Sequence, residues 1–148
     1  SLRIAPLVKR RLKKRLLSID KIFKHSQYVS DQYRNRIQSN CVTHPDIPQD
    51  CDIVFARYPL LTKNKQKLLS NAKKAGVELA EWYASPVHPL TDRDLSLVNY
   101  EKGSCPNAEK LCSEVVSLPV HMKVQQKDID KAVIFLNNVD FDDKVRNK

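Results

Sequence analysis

Glycine is nearly absent from this chain, which has 2 glycines among 148 residues. Loops that cradle phosphate groups need the backbone freedom that glycine supplies, so the composition argues against a glycine-rich phosphate-binding loop. No apolar run approaches the roughly 20 residues that span a bilayer. The charged start of the sequence is not followed by the apolar stretch of a secretory signal. We therefore expect no membrane partner.

Cysteine is also scarce, and its spacing does not indicate a disulfide scaffold. The four cysteines are Cys41, Cys51, Cys105 and Cys112. None forms a C-x-x-C pair. A zinc site built from Cys105 and Cys112 with the histidines at 88 and 121 is one alternative, but these spacings match no standard zinc motif. A Cys/His nucleophile pair is another alternative, but no nucleophile context surrounds the cysteines. We interpret them as reduced, partly buried residues of a cytoplasmic protein and expect no bound metal.

The positive charge is concentrated at the start of the chain. Residues 1–40 hold 11 Lys/Arg and 2 Asp/Glu, whereas residues 41–148 hold 15 of each sign. Six of the seven residues 9–15 are basic. Such a run is typical of nucleic-acid or anionic-surface contacts. However, Leu12 and Leu16 continue an apolar stripe through it, and no aromatic residues are interleaved for base stacking. Nucleic-acid binding therefore stays an alternative, not the expected function.

The spacing of apolar residues predicts one long amphipathic helix over residues 7–38. Its stripe recurs every three or four positions. The stripe consists of Val8, Leu12, Leu16, Ile19, Phe23, Ser26, Ser30, Tyr33 and Ile37. Such a helix is about 45 Å long, too long to bury its stripe against one small domain. We therefore expect part of it to pack against a portion of the protein outside this chain.

The remaining sequence alternates between strand and helix patterns. We predict strands over residues 52–61, 77–83 and 116–120. Predicted helices follow over residues 63–75, 107–116 and 128–138. The inward residues of these helices are Leu68, Leu69, Ala72, Ala108, Leu111, Cys112, Val115, Ile129, Ala132, Val133 and Leu136. Gly76 caps the first of them. The order of elements predicts a two-layer α/β (α+β) unit with a long loop over residues 84–104 and a frayed end after residue 138.

Six short segments resemble one enzyme family. They are Arg-Tyr-Pro-Leu-Leu at 57–61, Ala-Gly-Val at 75–77, Trp-Tyr-Ala-Ser-Pro-Val-His-Pro at 82–89, Cys-Pro-Asn-Ala-Glu-Lys-Leu at 105–111, Val-Ser-Leu-Pro-Val-His at 116–121 and Asp-Ile-Asp at 128–130. Their order is similar to the C-terminal part of the DegT/StrS family of pyridoxal-phosphate-dependent nucleotide-sugar aminotransferases. The resemblance implies the small C-terminal domain of a fold-type-I aminotransferase over residues 41–148. It implies that residues 1–40 are the basic connecting helix and that the large cofactor-binding domain is absent.

The family resemblance also implies a function. Members, including perosamine-synthetase-like enzymes of polysaccharide biosynthesis, move an amino group from an amino acid to a keto sugar carried on a nucleotide. The Schiff-base lysine lies in the family's large domain, and its glycine-rich context has no counterpart here. We therefore expect no catalytic or cofactor-binding residue in this chain, and no transamination by the chain alone. The implied partners are the large domain, the nucleotide sugar and a second copy in a homodimer.

The same resemblance implies substrate-binding roles for Trp82, Tyr83 and His88. A tyrosine hydroxyl can bond a sugar or phosphate oxygen, and an aromatic face can cover a sugar ring. The structural alternative places Trp82 in the core and Tyr83 at the end of a strand. A further alternative for the whole chain is a non-catalytic interaction module that has kept the fold.

Overall fold

The computed structural model describes residues 5–91 and 93–141. The helices are α1 (Pro6–Leu16), α2 (Ile19–Arg36), α3 (Lys65–Ala75), α4 (Pro106–Glu114) and α5 (Gln126–Asn138). The strands are β1 (Arg57–Leu61) and β2 (Val115–Pro119), and a short 3₁₀ helix covers Leu95–Val98. This mixture of helices with a small antiparallel sheet confirms the predicted α+β class. None of the described helices is both long and apolar enough to cross a membrane.

The long N-terminal helix is two helices in the structure, and the prediction of one continuous helix is wrong at Leu17 and Ser18. The Ser18 hydroxyl donates to the carbonyl oxygens of Lys14 (3.2 Å) and Arg15 (3.0 Å). A serine that bonds the preceding turn offers the backbone an alternative to the regular helical ladder. The break therefore follows from local side-chain chemistry that apolar spacing does not report.

The sheet is built around β2. It pairs antiparallel with β1, with Tyr58 opposite Leu118 and Leu60 opposite Val116. Thr43 bridges Leu61 on the outer side of β1. Pro59, two residues earlier, directs its backbone to that same outer side, so its missing N–H removes no bond to β2. This placement explains how a proline lies within the strand.

Two predicted strands are shorter than expected. The first begins at Arg57, not at residue 52. The segment 77–83 forms only a single bridge, in which Ala80 exchanges backbone hydrogen bonds of 3.0 and 2.9 Å with Ser117. The carbonyl of Tyr83 accepts a hydrogen bond from the Lys65 ammonium instead of from a strand. At the end of this segment, a hydrogen bond from a side chain thus takes the place of the backbone hydrogen bonds between strands.

The core lies between the sheet and helices α2, α3 and α5. Its fully buried members are Val29, Tyr33, Tyr58, Leu60, Leu68, Leu118 and Leu136. All four inward residues predicted for α5 are buried, as are Leu68 and Ala72 of α3. Gly76 caps α3 in the left-handed conformation, with φ of 65°. That geometry suits glycine because it has no Cβ.

Helix α4 departs from its predicted packing. It contains no fully buried residue, and Leu111, predicted to face inward, is 50% exposed. Its Glu109 carboxylate instead accepts hydrogen bonds from the Gly103 amide (2.6 Å) and the Tyr100 hydroxyl (2.9 Å). The helix therefore packs on the preceding loop rather than on the core.

Candidate functional site

The structure brings the three predicted substrate-binding side chains together. We call Trp82, Tyr83 and His88 the aromatic face. The ring centroids of Trp82 and Tyr83 lie 6.4 Å apart, and those of Tyr83 and His88 lie 5.6 Å apart, both edge-on. Trp82 is 51% exposed and Tyr83 45% exposed. The structural alternative that put Trp82 in the core is therefore wrong, and the rings are open to a ligand.

Arg57 lies against the aromatic face. Its guanidinium carbon is 5.9 Å from the centroid of the Trp82 ring, within the range of a cation–π contact. The guanidinium also donates to the Ser117 hydroxyl (3.0 Å) and carbonyl (3.2 Å), and it pairs with the Glu78 carboxylate at 3.3 Å. Arg57 thereby connects the Trp82 ring to β2.

Lys65 is bonded to the chain segment that carries Trp82 and Tyr83. Its side chain is 5% exposed, and its Nζ lies 2.7 Å from the Glu81 carboxylate. The same Nζ donates to the carbonyl oxygens of Tyr83 (3.1 Å) and Cys112 (2.6 Å). Sequence reasoning missed this residue because residues 63–67 contain three lysines and resemble a solvated surface. The sequence does contain the acidic partner of this lysine, Glu81, but no motif links a lysine to a carboxylate at this separation along the chain.

The turn after Tyr83 places His88 beside it. Ser85 is buried, and its hydroxyl donates to the Leu90 carbonyl at 2.7 Å. The His88–Pro89 peptide bond is cis. The imidazole of His88 lies beside the Tyr83 ring in this turn.

A cavity of about 450 Å³ lies beside this turn and extends toward α4. It is lined by Ala84, Ser85, Pro86, Leu95, Tyr100, Glu109 and Cys112, among others. The bond from the Gly103 amide, followed by that from the Tyr100 hydroxyl, lowers the pKa of Glu109. Desolvation and the bond to Glu109 raise the pKa of Tyr100. At neutral pH this wall therefore presents a carboxylate and a neutral phenol.

The aromatic face offers ring surfaces and a hydroxyl group to a ligand, with Arg57 against Trp82 and Lys65 bonded to the Tyr83 carbonyl. Within residues 5–91 and 93–141, no three His, Cys, Asp or Glu side chains cluster as metal ligands. The four cysteines are thiols outside any disulfide, with Cys51 and Cys105 exposed and Cys41 and Cys112 half-buried. The Lys65 amine is engaged by three oxygen atoms. The described lysines other than Lys65 are solvent-exposed. These lysines do not fit the shielded, free amine that covalent attachment of pyridoxal phosphate requires.

Comparison with protein families identifies a family for this chain. The model of the DegT/DnrJ/EryC1/StrS aminotransferase family matches residues 10–136. No curated protein sequence matches the chain significantly.

Solved structures share the fold. A DegT DnrJ EryC1 StrS aminotransferase from Brucella abortus superposes with a TM-score of 0.70 at 22% identity, covering 84% of this chain and 33% of that one. The sugar aminotransferase CalS13 from Micromonospora echinospora gives 0.65 at 14% identity, over 82% and 32%. Spr1654 from Streptococcus pneumoniae, in its PLP-form, gives 0.69 at 12% identity, over 82% and 32%. The chain thus spans about a third of the length of these structures.

Proposed function

Since the chain belongs to the DegT/DnrJ/EryC1/StrS aminotransferase family, we propose that it is the C-terminal portion of an enzyme that transfers an amino group to a nucleotide-linked keto sugar. The observation that carries this proposal is the exposed aromatic face, whose three rings adjoin at 6.4 and 5.6 Å. In this proposal residues 1–40 connect to the large domain and residues 41–148 form the small domain. A homodimer in the cytoplasm is the expected working form.

The aromatic face would bind the sugar nucleotide. The Trp82 ring, with Arg57 beside it, offers a flat surface for the apolar side of a sugar ring. The Tyr83 hydroxyl would donate a hydrogen bond to a sugar or phosphate oxygen. The His88 imidazole would contact the same ligand from the neighbouring turn. These side chains would bind and orient the substrate, and the reacting bonds would lie outside this chain.

The cofactor of the complete enzyme is proposed to be pyridoxal phosphate, which supplies an electron sink for amino-group transfer. The name of the Spr1654 structure, which includes its PLP-form, supports this choice. Because the described lysines do not fit its covalent attachment, we place the cofactor in the two thirds of the matched fold that this chain does not cover.

The test is a Tyr83→Phe substitution in the complete enzyme. Loss of one hydrogen bond should lower kcat/KM by an equivalent of about 0.5–1.5 kcal/mol, or up to about 3 kcal/mol if the partner is a charged phosphate oxygen. Thermal stability should barely change because phenylalanine keeps the ring. Tyr28→Phe is the control, since the Tyr28 hydroxyl lies outside the aromatic face and donates to the Gln126 side chain of α5 at 2.9 Å.

His88→Ala separates binding from loop structure. If His88 contacts the substrate, kcat/KM should fall while the melting temperature stays constant. A lower melting temperature with unchanged kinetics would show that His88 only supports the turn. Wild-type kinetics in both the Tyr83 and His88 variants would remove the aromatic face from the substrate site.

A further inference from the structure

Lys65 occupies a position that is unfavourable for a cation. It is the first residue of α3, where the helix dipole is positive, and the first turn contains no acidic residue. Its side chain is nevertheless 5% exposed. Burying an ammonium group costs several kcal/mol unless it is well paired. The stability of α3 therefore does not explain this lysine, and its partners outside the helix must.

Those partners use all three donors of the ammonium group. One acceptor is the Glu81 carboxylate, at 2.7 Å, and a second is the Tyr83 carbonyl, at 3.1 Å. The third is the Cys112 carbonyl, at 2.6 Å, in the last turn of α4, where carbonyl groups lack helical partners. A single nitrogen atom thus joins α3, α4 and both residues that flank Trp82.

The core and the sheet do little to fix the orientation of Trp82 and Tyr83. Trp82 and Tyr83 are about half exposed, so packing against the core cannot hold both rings. The sheet does not hold them either, because its last bridge on this segment is at Ala80. Arg57 contacts the Trp82 ring, and Lys65 donates a hydrogen bond to the backbone carbonyl of Tyr83.

We propose that Lys65 is a positioning residue that sets the orientation of Trp82 and Tyr83 through the Glu81 carboxylate and the Tyr83 carbonyl. Its consequence for catalysis rests on the proposed function. Without Lys65 the segment would sample more conformations, and substrate binding would have to order it at a cost in affinity. The loss would fall on KM and leave kcat nearly unchanged.

The first measurement uses the 148-residue chain, because Trp82 is its only tryptophan. Lys65→Met removes the three bonds and shortens the unbranched side chain only by its terminal atom. We expect the acrylamide quenching constant of Trp82 fluorescence to rise by about 1.5-fold or more and its anisotropy to fall, as for a locally released segment. Lys74→Met, the same change at an exposed position of α3, is the matched control and should leave both values unchanged.

A milder variant keeps the proposal testable if Lys65→Met does not fold. Glu81→Gln weakens the ion pair but leaves the two carbonyl acceptors of Lys65 in place, and its side chain is 33% exposed. We expect a smaller shift in the same direction, with a melting temperature close to that of the wild type. Unchanged quenching in every folded variant of Lys65 and Glu81 would overturn the proposal and make Lys65 a purely structural anchor.

The second measurement uses the complete enzyme. We expect Lys65→Met to raise KM for the nucleotide sugar about tenfold, with kcat within about twofold of wild type. This pattern is typical when binding of the ground state and of the transition state is weakened equally. A rise in KM without any change in quenching would overturn the positioning role. Increased quenching with unchanged KM would support positioning by Lys65 but overturn the proposed substrate role of the aromatic face.

Discussion

Helix α1 and the second half of α2 carry the same kind of apolar stripe but differ in burial. Helix α1 has no buried residue, and its Leu12 is 48% exposed. In α2, Val29 and Tyr33 are completely buried. The Tyr33 hydroxyl also donates to the Pro119 carbonyl across the core, at 3.1 Å. Spacing thus determines which face of a helix is apolar, and a packing partner determines whether that face is buried.

The serines of α2 show that burial of polar residues also depends on a packing partner. Ser26 and Ser30 interrupt the stripe in the sequence, yet both are buried. The Ser26 hydroxyl donates to the Phe55 carbonyl at 2.6 Å, and the Ser30 hydroxyl donates to the Ser26 carbonyl at 2.8 Å. Hydrogen bonds make the burial of these hydroxyl groups tolerable. A polar residue on the stripe therefore does not mark an exposed part of the helix.

The largest expected effect compares one truncation in each helix. Tyr33→Ala should lower the free energy of unfolding by about 3–5 kcal/mol, because it empties a fully buried aromatic site. Leu12→Ala should change it by about 0.5 kcal/mol or less, as for an exposed position. Urea unfolding of the 148-residue chain measures both. Equal effects would show that α1 is packed as tightly as α2 in solution.

The next effect concerns the unpartnered stripe of α1. Its exposed apolar residues are Leu7, Val8, Leu12 and Leu16, and the exposed Leu17 follows directly after the helix. Exposed apolar patches of this kind favour association, so we expect the 148-residue chain to form dimers or larger species as its concentration rises. Leu12→Gln combined with Leu16→Gln should raise the dimer dissociation constant about 30-fold, equivalent to ~2 kcal/mol.

Sedimentation over a range of concentrations measures this association. Lys13→Gln combined with Lys14→Gln, on the basic part of the same helix, is the control and should not weaken it. A chain that stays strictly monomeric at every concentration would contradict the prediction. The stripe would then find its partner within the same molecule.

A further effect, confined to alkaline pH, comes from two tyrosines that pack together in the core, with ring centroids 5.7 Å apart. Burial raises the pKa of Tyr58 from 10.0 to about 12. Burial, followed by the charge of Asp128, also raises the pKa of Tyr33. Above pH 10 the unfolded chain loses these protons while the folded chain keeps them. The unfolded state then binds fewer protons, so stability should fall by up to about 1.4 kcal/mol per pH unit for each tyrosine.

Unfolding measurements between pH 9 and pH 12 test this effect, a range from about one unit below to about two units above the usual tyrosine pKa. For Tyr58 the loss should be complete near its folded pKa of about 12. Tyr58→Phe should flatten the decline relative to wild type, whereas Tyr28→Phe, at an exposed position of α2, should not. The same slope in all three proteins would show that Tyr58 is not responsible. Helix α1 contains no tyrosine and should not contribute to the difference.

Sequence reasoning was most successful where local pattern is sufficient. The inward faces of α3 and α5 follow from apolar spacing, and the cap at Gly76 follows from the freedom of glycine to adopt positive φ. Short motifs in a fixed order identified the family, which the match over residues 10–136 confirms. The same motifs pointed to Trp82, Tyr83 and His88, which adjoin in the structure, and their substrate role stays a prediction.

What the tertiary structure alone decided is the set of contacts between residues far apart in the chain. Local spacing predicted a strand over 77–83. At Tyr83, however, the backbone carbonyl accepts a hydrogen bond from the lysine at the start of α3 instead of from a neighbouring strand. Lys65 and Arg57 resemble ordinary surface cations in the sequence, yet they bond segments 16 to 60 residues away. Hydrogen bonds and ion pairs act over a few ångströms in space. The fold therefore determines which residues become partners, whereas the sequence by itself determined the inward faces of α3 and α5 and the family.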